Sequence, residues 1–373
     1  MPSGVSVTPE PSRATLTVDV LAVSVAPASK SIAPGATVQL AATVYGRNYV
    51  VLTTPVTWSS SAPAIATVSA TGLVTGVAPG SATIRATAGP KTGTSAITVT
   101  GSTPPPPPSP SILIAAGDIA QCGSSNDEAT AAVVSAIGGT VATLGDNAYN
   151  SGTAAEYANC YAPSWGAFKN RTRPSVGNHE YKTTGAAGYF GYFGAAAGDP
   201  KKGYYSYDLG DWHVVVLNSN CGFVACSAGS PQEQWLRADL AATTKACVVA
   251  YWHHPRFNSG SGHGNNTAVA PFWNALYAAG AELILNGHEH LYERFAPQTP
   301  GGVANAASGI RQFTVGTGGR VFNTVGTVKP NSQVRNTTAP GVLKLTLGAG
   351  TYGWEFKPVA GQTFADTGTG TCH

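Results

Sequence analysis

The stretch from Thr103 to Ser111, TPPPPPSPS, decides how this chain is organised. Successive prolines fix φ, offer no backbone N–H and settle into an extended polyproline II rod. No helix or sheet strand can run through such a segment, so the chain must fold as separate pieces on either side of it. A length of 373 residues also suits two domains. The expected divisions are an N-terminal arm over 1–22, a domain over 23–101, a proline linker over 102–111 and a larger domain over 112–373.

Before the linker the sequence is all-β in character. Val23–Pro27, Ala36–Val44, Val56–Ser60, Ala66–Ala70, Ser81–Ala88 and Ser95–Thr100 are short β-branched runs separated by Gly and Pro turns, and several alternate with period two. Such spacing predicts a β-sandwich. The stretch Val56–Thr87, VTWSSSAPAIATVSATGLVTGVAPGSATIRAT, resembles the bacterial Ig-like group 2 domain, and the likeness runs from Val23 to about Thr100. That resemblance implies a spacer or adhesion module that contacts a cell surface or polymer.

Composition narrows the rest. Charged residues make up 10% of the chain, against roughly 25% in ordinary soluble domains. The net charge of +3 carries no basic block, so a specific nucleic-acid surface is not expected. No run approaches the roughly 20 apolar residues of a membrane helix. No signal peptide is visible, so export implies that one has been removed. All six cysteines, Cys122, Cys160, Cys221, Cys226, Cys247 and Cys372, come after the linker and none forms a CxxC pair. They read as disulfides of a secreted or cell-surface protein, with Cys221–Cys226 and Cys122–Cys160 as the expected pairings.

After the linker, apolar strands alternate with helices. Ile112–Asp118, Val141–Asp146, Arg173–Asn178, His213–Ser219, Cys247–His254 and Glu282–His290 read mostly as strands buried on both faces. Helices are expected from Asn126 to about Ile137, after the Ser230-Pro231-Gln232-Glu233 capping box, and over about Ala268–Ala279. Ile310–Gly316, Gly341–Gly348 and Thr351–Val359 add strands without helices. The fold class expected is an α/β sandwich with mixed sheets.

The chemistry lies where these strands stop. Five of them end on polar clusters: Asp118, Gly145–Tyr149, Gly177–Glu180, His253-His254 and Gly287–His290. In open α/β sheets the ligand site lies beyond the carboxyl ends of the strands, so the clusters should converge. They offer Asp, Tyr, Asn and His, donors for a borderline-to-hard cation without thiolates. Of the eight histidines, six lie in or near these clusters, and only His213 and His373 lie away from them.

In these blocks the sequence resembles the calcineurin-like metallophosphoesterases, and within them the purple acid phosphatases, over about Ser111–Phe356. The matching residues are Asp118, GDNAY (Gly145–Tyr149), GNHE (Gly177–Glu180), His253 and GHEH (Gly287–His290), in the family's order. The first block reads GDIA, with Ala120 where many relatives have a histidine ligand. The resemblance implies one metal on Asp118, Tyr149 and His290, a second on Asn178, His253 and His288, and Asp146 bridging both. Two ions about 3.5–4 Å apart activate water and clamp an in-line displacement. Asp118, Asp146 and a tyrosinate bring three negative charges. An Fe(III) with Zn, Mn or Fe(II) then leaves the site cationic and suited to an anionic ester.

The same resemblance assigns His179 to the phosphate and His263, in Ser261–Asn265, to the leaving group as proton donor. Glu180 is expected to support His179 from behind. His254 points away from His253 if the strand persists to it, and is expected to act behind the ligands or structurally. Gly318-Gly319-Arg320 reads as a cleft rim or a plain turn. Tyr189–Gly194, YFGYFG, reads as pocket lining or packing. The expected function is hydrolysis of small phosphate monoesters by metal-activated hydroxide. A phosphodiesterase or nucleotidase of the same fold is the alternative. A non-catalytic adhesin with a structural metal site is the third reading.

Overall fold

The computed structural model describes residues 19–101 and 109–373. Residues 1–18 of the expected arm and 102–108 of the linker lie outside the described residues. The chain divides into two compact units, one on either side of the proline run.

The N-terminal unit is a β-sandwich of short strands. Its longest hairpin pairs Gly80–Ala88 with Lys91–Val99 antiparallel, and Ser29–Ile32 joins the same sheet in parallel to Lys91–Val99. Alternation on these strands places Ala82, Ile84 and Ala86, with Ile97 and Val99, in a core completed by Val25, Leu40 and Val74. The period-two runs in the sequence are this inward face.

The C-terminal unit is the expected α/β sandwich. One sheet has the order Thr172–Ser175, Thr140–Leu144, Ser111–Ala116, Gly341–Gly348, Thr351–Pro358, Thr367–Thr371. The first three strands run parallel and the rest are antiparallel. The second sheet has the order Tyr205–Leu209, Trp212–Val216, Cys247–Tyr251, Leu283–Asn286, Arg311–Val315, Tyr292–Phe295, Ser332–Asn336. Val214, Val216, Val249, Tyr251, Leu283 and Leu285 enter the core shared with the first sheet. Their neighbours Val215, Val248, Ala250 and Ile284 face a second core built with Leu236, Phe272, Trp273 and Leu276 from the helices Pro231–Ala242 and Ala270–Ala278. Both faces of these strands are therefore dry, which is why they read as unbroken apolar runs. Tyr189, Phe190 and Phe193 of the YFGYFG run are buried in the shared core, so that run is packing.

Three disulfides close this unit: Cys122–Cys160, Cys221–Cys226 and Cys247–Cys372. The first two are the expected pairings. Among the described residues no helix is long and apolar enough to cross a membrane.

His213, one of the histidines outside the clusters, is a buried ion clamp. Its Nδ1 lies 2.9 Å from Asp208 Oδ1 and its Nε2 2.9 Å from Asp239 Oδ2. Two carboxylates on two ring nitrogens require both N–H groups, and the bond to Asp239 chiefly raises the imidazole above its ordinary value. A base stabilised as its cation contributes fully below its unfolded value of about 6.5 and loses that contribution as pH rises through the raised folded value. Replacing His213 by Gln should cost about 1.5–3 kcal/mol at about pH 6 and progressively less toward alkaline pH, read by denaturant melts of both proteins.

A candidate dinuclear metal centre

Asp118, Asp146, Asn178, His253 and His288 all sit just past the carboxyl ends of parallel strands, at one end of the sandwich. The expected strands end earlier than the sequence suggests, at Ala116, Leu144, Ser175, Tyr251 and Asn286. The backbone then turns, and Asp118 (φ 60°), Asp146 (φ 50°) and His288 (φ 70°) occupy the left-handed region. These residues carry strain that extended strands would avoid, and strain of this kind clusters at functional sites. Close approach is built in as well. A Cβ on Gly145 (φ +84°) would stand 2.5 Å from His253 Nδ1, and one on Gly177 would collide with the Asp146 carboxylate.

The side chains converge as two donor sets. In the first, Tyr149 Oη lies 2.7 Å from Asp118 Oδ1 and 3.3 Å from His290 Nε2, and those two are 3.5 Å apart. In the second, His253 Nε2 lies 3.0 Å from Asn178 Oδ1 and 3.2 Å from His288 Nδ1. Asp146 Oδ2 belongs to both: it is 3.1 Å from Tyr149 Oη and 3.3 Å from His253 Nε2. Ligands held about 2.0–2.2 Å from one ion stand about 2.8–3.6 Å from each other in tetrahedral or octahedral arrangement. The donor spacings therefore fit two cations sharing one carboxylate oxygen.

The tautomers agree with this. His253 Nδ1–H donates to the Leu144 carbonyl (2.8 Å) and His290 Nδ1–H donates to the Val321 carbonyl (3.0 Å). Each bond turns the Nε2 lone pair into the cluster, the usual device behind a metal-ligating histidine. The electrostatics point the same way. Burial would lower His253, yet Asp146 and then Asp118 raise it to about 9, so the carboxylates favour positive charge at this position. Burial would raise Asp146, but His253 and His179 hold it well below the usual carboxylate range. Burial pushes Asp118 up. Burial, then Asp118 and Asp146, push the Tyr149 phenol well above its ordinary value.

His179 stands at the mouth. Its ring packs edge-on against Tyr149 at 4.5 Å, its Nδ1 lies 2.6 Å from the Asn150 carbonyl, and its Nε2 is 3.8 Å from Asp146 Oδ2. Lys182 Nζ lies 2.9 Å from His179 Nδ1. His263 lies on the other histidines, its ring 3.9 Å from that of His288 and its Nδ1 3.5 Å from Glu289 Oε2.

Two expectations need correcting. Glu180 does not back His179. It is fully buried and accepts the backbone N–H groups of Gly177 (2.7 Å), Asn147 (2.7 Å), Asp146 (3.0 Å) and Ala148 (3.3 Å), together with the Tyr157 hydroxyl (3.1 Å). The carboxylate thus ties the GDNA loop to the GNH turn, because those N–H groups leave their strands and have no ladder partner. His254 does not point away from His253. The strand ends at Tyr251, so alternation no longer applies two residues on. The His254 ring lies 4.3 Å from that of His288, and its Nδ1 pairs with Ser219 Oγ at 2.8 Å. Burial first, then His253, lowers it to about 3.

One acidic residue of the site was not singled out by the sequence. Glu289, the middle residue of GHEH, is buried and accepts from Asn258 Nδ2 (2.6 Å), Asn323 Nδ2 (2.8 Å) and the N–H groups of His263 (2.9 Å) and Gly262 (3.1 Å). Burial alone would raise it, but its bonds to His263, Asn258 and Asn323 bring it down to about 2. Glu289 does for the 258–263 loop what Glu180 does for the 145–148 loop. Gly318-Gly319-Arg320 is more than a turn: the Arg320 guanidinium lies 4.7 Å over the Tyr149 ring, and its backbone N–H donates to the Asp118 carbonyl at 2.9 Å. Arg256 stacks on Phe257.

The family model of the bacterial Ig-like domain (group 2) matches residues 19–99, and that of the calcineurin-like phosphoesterases matches residues 98–292. Probable purple acid phosphatase 20 of Arabidopsis thaliana is 31% identical over 166 residues, 38% of this chain and 38% of that protein. Purple acid phosphatase 22 of the same plant is 36% identical over 97 residues, 25% of this chain and 22% of that protein. The chain thus spans about two fifths or less of the length of the curated relatives it matches. A purple acid phosphatase from yellow lupin (Lupinus luteus) seeds has a TM-score of 0.58 at 15% identity, covering 91% of this chain and 75% of that one, and so shares the fold.

Proposed function

The chain belongs to the calcineurin-like phosphoesterase family, and on that premise we propose that its C-terminal unit hydrolyses phosphate monoesters. The observation that carries this reading is the pair of donor sets meeting at Asp146 Oδ2. Asp118, Tyr149 and His290 would hold one ion and Asn178, His253 and His288 the other, with Asp146 between them. When bound, such a pair supplies Lewis-acid activation of water and neutralises charge on the phosphate.

The chain's own residues supply the rest. Lys182 brings positive charge to the mouth, and His179 sets a polar ring beside Tyr149, where phosphate oxygens would lie. His263, seated on His288 and held by Glu289, is placed to protonate the departing oxygen. Glu180 keeps the Asp146 loop from relaxing away from the histidines. Tyr149 bears on metal identity. A phenol held protonated by burial and two carboxylates ionises only beside a strongly polarising cation. This favours Fe(III) next to Tyr149, with Zn, Mn or Fe(II) in the other set. The three disulfides support export to an oxidising setting. The Ig-like unit would then serve as a spacer or as the contact to a cell surface or polymer.

One experiment tests both parts. Native protein is assayed with p-nitrophenyl phosphate and bis-p-nitrophenyl phosphate while its visible spectrum is recorded. The monoester should exceed the diester in kcat/KM by about tenfold or more, with a tyrosinate–Fe(III) band present. Dominant diester turnover overturns the monoester reading. A colourless, fully active protein overturns the iron assignment and leaves the hydrolase.

A further inference from the structure

Lys182 closes the single turn Glu180–Lys182 that follows His179. Its backbone N–H donates to the His179 carbonyl at 3.2 Å. The next residue, Thr183, ties the turn down by donating its hydroxyl to the Ser151 carbonyl at 2.6 Å. Glu180, inside the turn, accepts from the Asp146 and Gly177 N–H groups. The root of the lysine is therefore fixed relative to the donor sets.

Its ammonium lies close to them. Nζ is 2.9 Å from His179 Nδ1 and 3.3 Å from His179 Nε2, and that Nε2 is 3.8 Å from Asp146 Oδ2, the shared oxygen. The imidazole satisfies the ammonium poorly. His179 Nδ1 faces the Asn150 carbonyl at 2.6 Å, which requires an N–H there, so Nδ1 has no lone pair for Lys182. Among the described residues no carboxylate pairs with this ammonium. The other cation beside the donor sets is already engaged: Arg320 donates to Gln121 Oε1 and stacks on the Tyr149 ring. A compact, strongly hydrated charge held at the mouth with no anion beside it is arranged for an anion that arrives from solvent.

We propose that Lys182 discriminates phosphate monoesters from diesters by pairing with the terminal oxygen that a diester lacks. A monoester has three terminal oxygens and, above its second ionisation near pH 6, two negative charges. A diester has two terminal oxygens and one charge. With two terminal oxygens taken up at the two donor sets, a monoester keeps a third, charged oxygen for the chain itself to hold. In a diester a second ester oxygen and its substituent stand in that place, and they bring no charge to Lys182. The inference rests on the phosphoesterase reading above and names the residue that gives it monoester specificity.

The test measures kcat/KM of wild type, Lys182→Met and Lys182→Arg for p-nitrophenyl phosphate and bis-p-nitrophenyl phosphate at about pH 7.5, where the monoester is a dianion. A hydrogen bond to a charged group accounts for about tenfold or more, so Lys182→Met should lower the monoester-to-diester ratio by about that factor. Lys182→Arg keeps the charge and should preserve the ratio. Lys182 is exposed, so both variants should melt with wild type, and the effect is then one of charge and not of folding. An unchanged ratio in Lys182→Met, or the same loss in both variants, overturns the assignment. The ratio in wild type tests the monoester reading, and its change on substitution tests Lys182, so the two fail separately. If wild type turns over neither ester, the phosphoesterase reading fails. Calorimetric binding of inorganic phosphate and dimethyl phosphate then decides: a selective loss of phosphate binding in Lys182→Met supports the role of Lys182, and equal or absent binding overturns it.

Discussion

Asp146→Asn should lower kcat by about 10³-fold and leave the fold intact. Asp146 Oδ2 is the oxygen shared by both donor sets, and Oδ1 accepts the His179 backbone N–H at 2.8 Å. An amide can satisfy only one of these demands. With its oxygen toward His179, it turns an NH₂ on Tyr149 Oη and His253 Nε2, where a cation is to be bridged. With its oxygen toward the histidines, it sets N–H against N–H at His179. In either orientation the negative charge is gone. Metal analysis of the purified variant should give one ion per chain or fewer, with a far-UV spectrum like that of wild type. Two tightly held ions and activity within tenfold of wild type would remove Asp146 from the bridging position and the dinuclear proposal with it.

Glu180→Ala should be the most damaging change outside the donor sets. The carboxylate accepts four backbone N–H groups and the Tyr157 hydroxyl while fully buried. Each buried donor left unpaired costs about 1–3 kcal/mol, and water entering the small void recovers part of that. The expected net loss is about 3–5 kcal/mol, which for a domain of this size is about 10 °C in Tm. The loop that Glu180 ties down carries Asp146 and Tyr149, so metal affinity should also fall by about 10–100-fold. Calorimetry with and without added metal separates the two effects. A variant melting within about 2 °C of wild type and holding metal equally well would show that the loop is fixed by other contacts.

The donor residues were legible because strand ends are legible. A run such as ILIAAG or LILNG that is apolar on both faces marks a buried parallel strand, and the residues just past its end must lie at the ligand edge of the sheet. The resemblance carried by those blocks then implied Asp118, Asp146, Tyr149, Asn178, His253, His288 and His290 as ligands, whose donor atoms the fold gathers. Strands without that signature went unread. Tyr205–Leu209, Ser332–Asn336 and Thr367–Thr371 are polar or half-exposed edge strands, Tyr292–Phe295 is a short inner strand paired on both sides, and the signature of a long apolar run is missing from all four. The Cys247–Cys372 bridge, 125 residues apart, has no local spacing to announce it.

By itself the sequence determined which atoms were available: hard and borderline donors on five turns, an even set of cysteines and a proline rod that forces two folding units. These come from local chemistry and from hydrophobic periodicity, which each segment carries within itself. Only the tertiary structure decided what the second rank of residues does. Glu180 and Glu289 became braces for loops, His254 turned inward, and Arg320 came to lie over Tyr149. A buried hydrogen-bonding group is assigned by whichever unpaired partner the packing brings within about 3 Å of it. That partner belongs to another stretch of chain, and no local pattern encodes it.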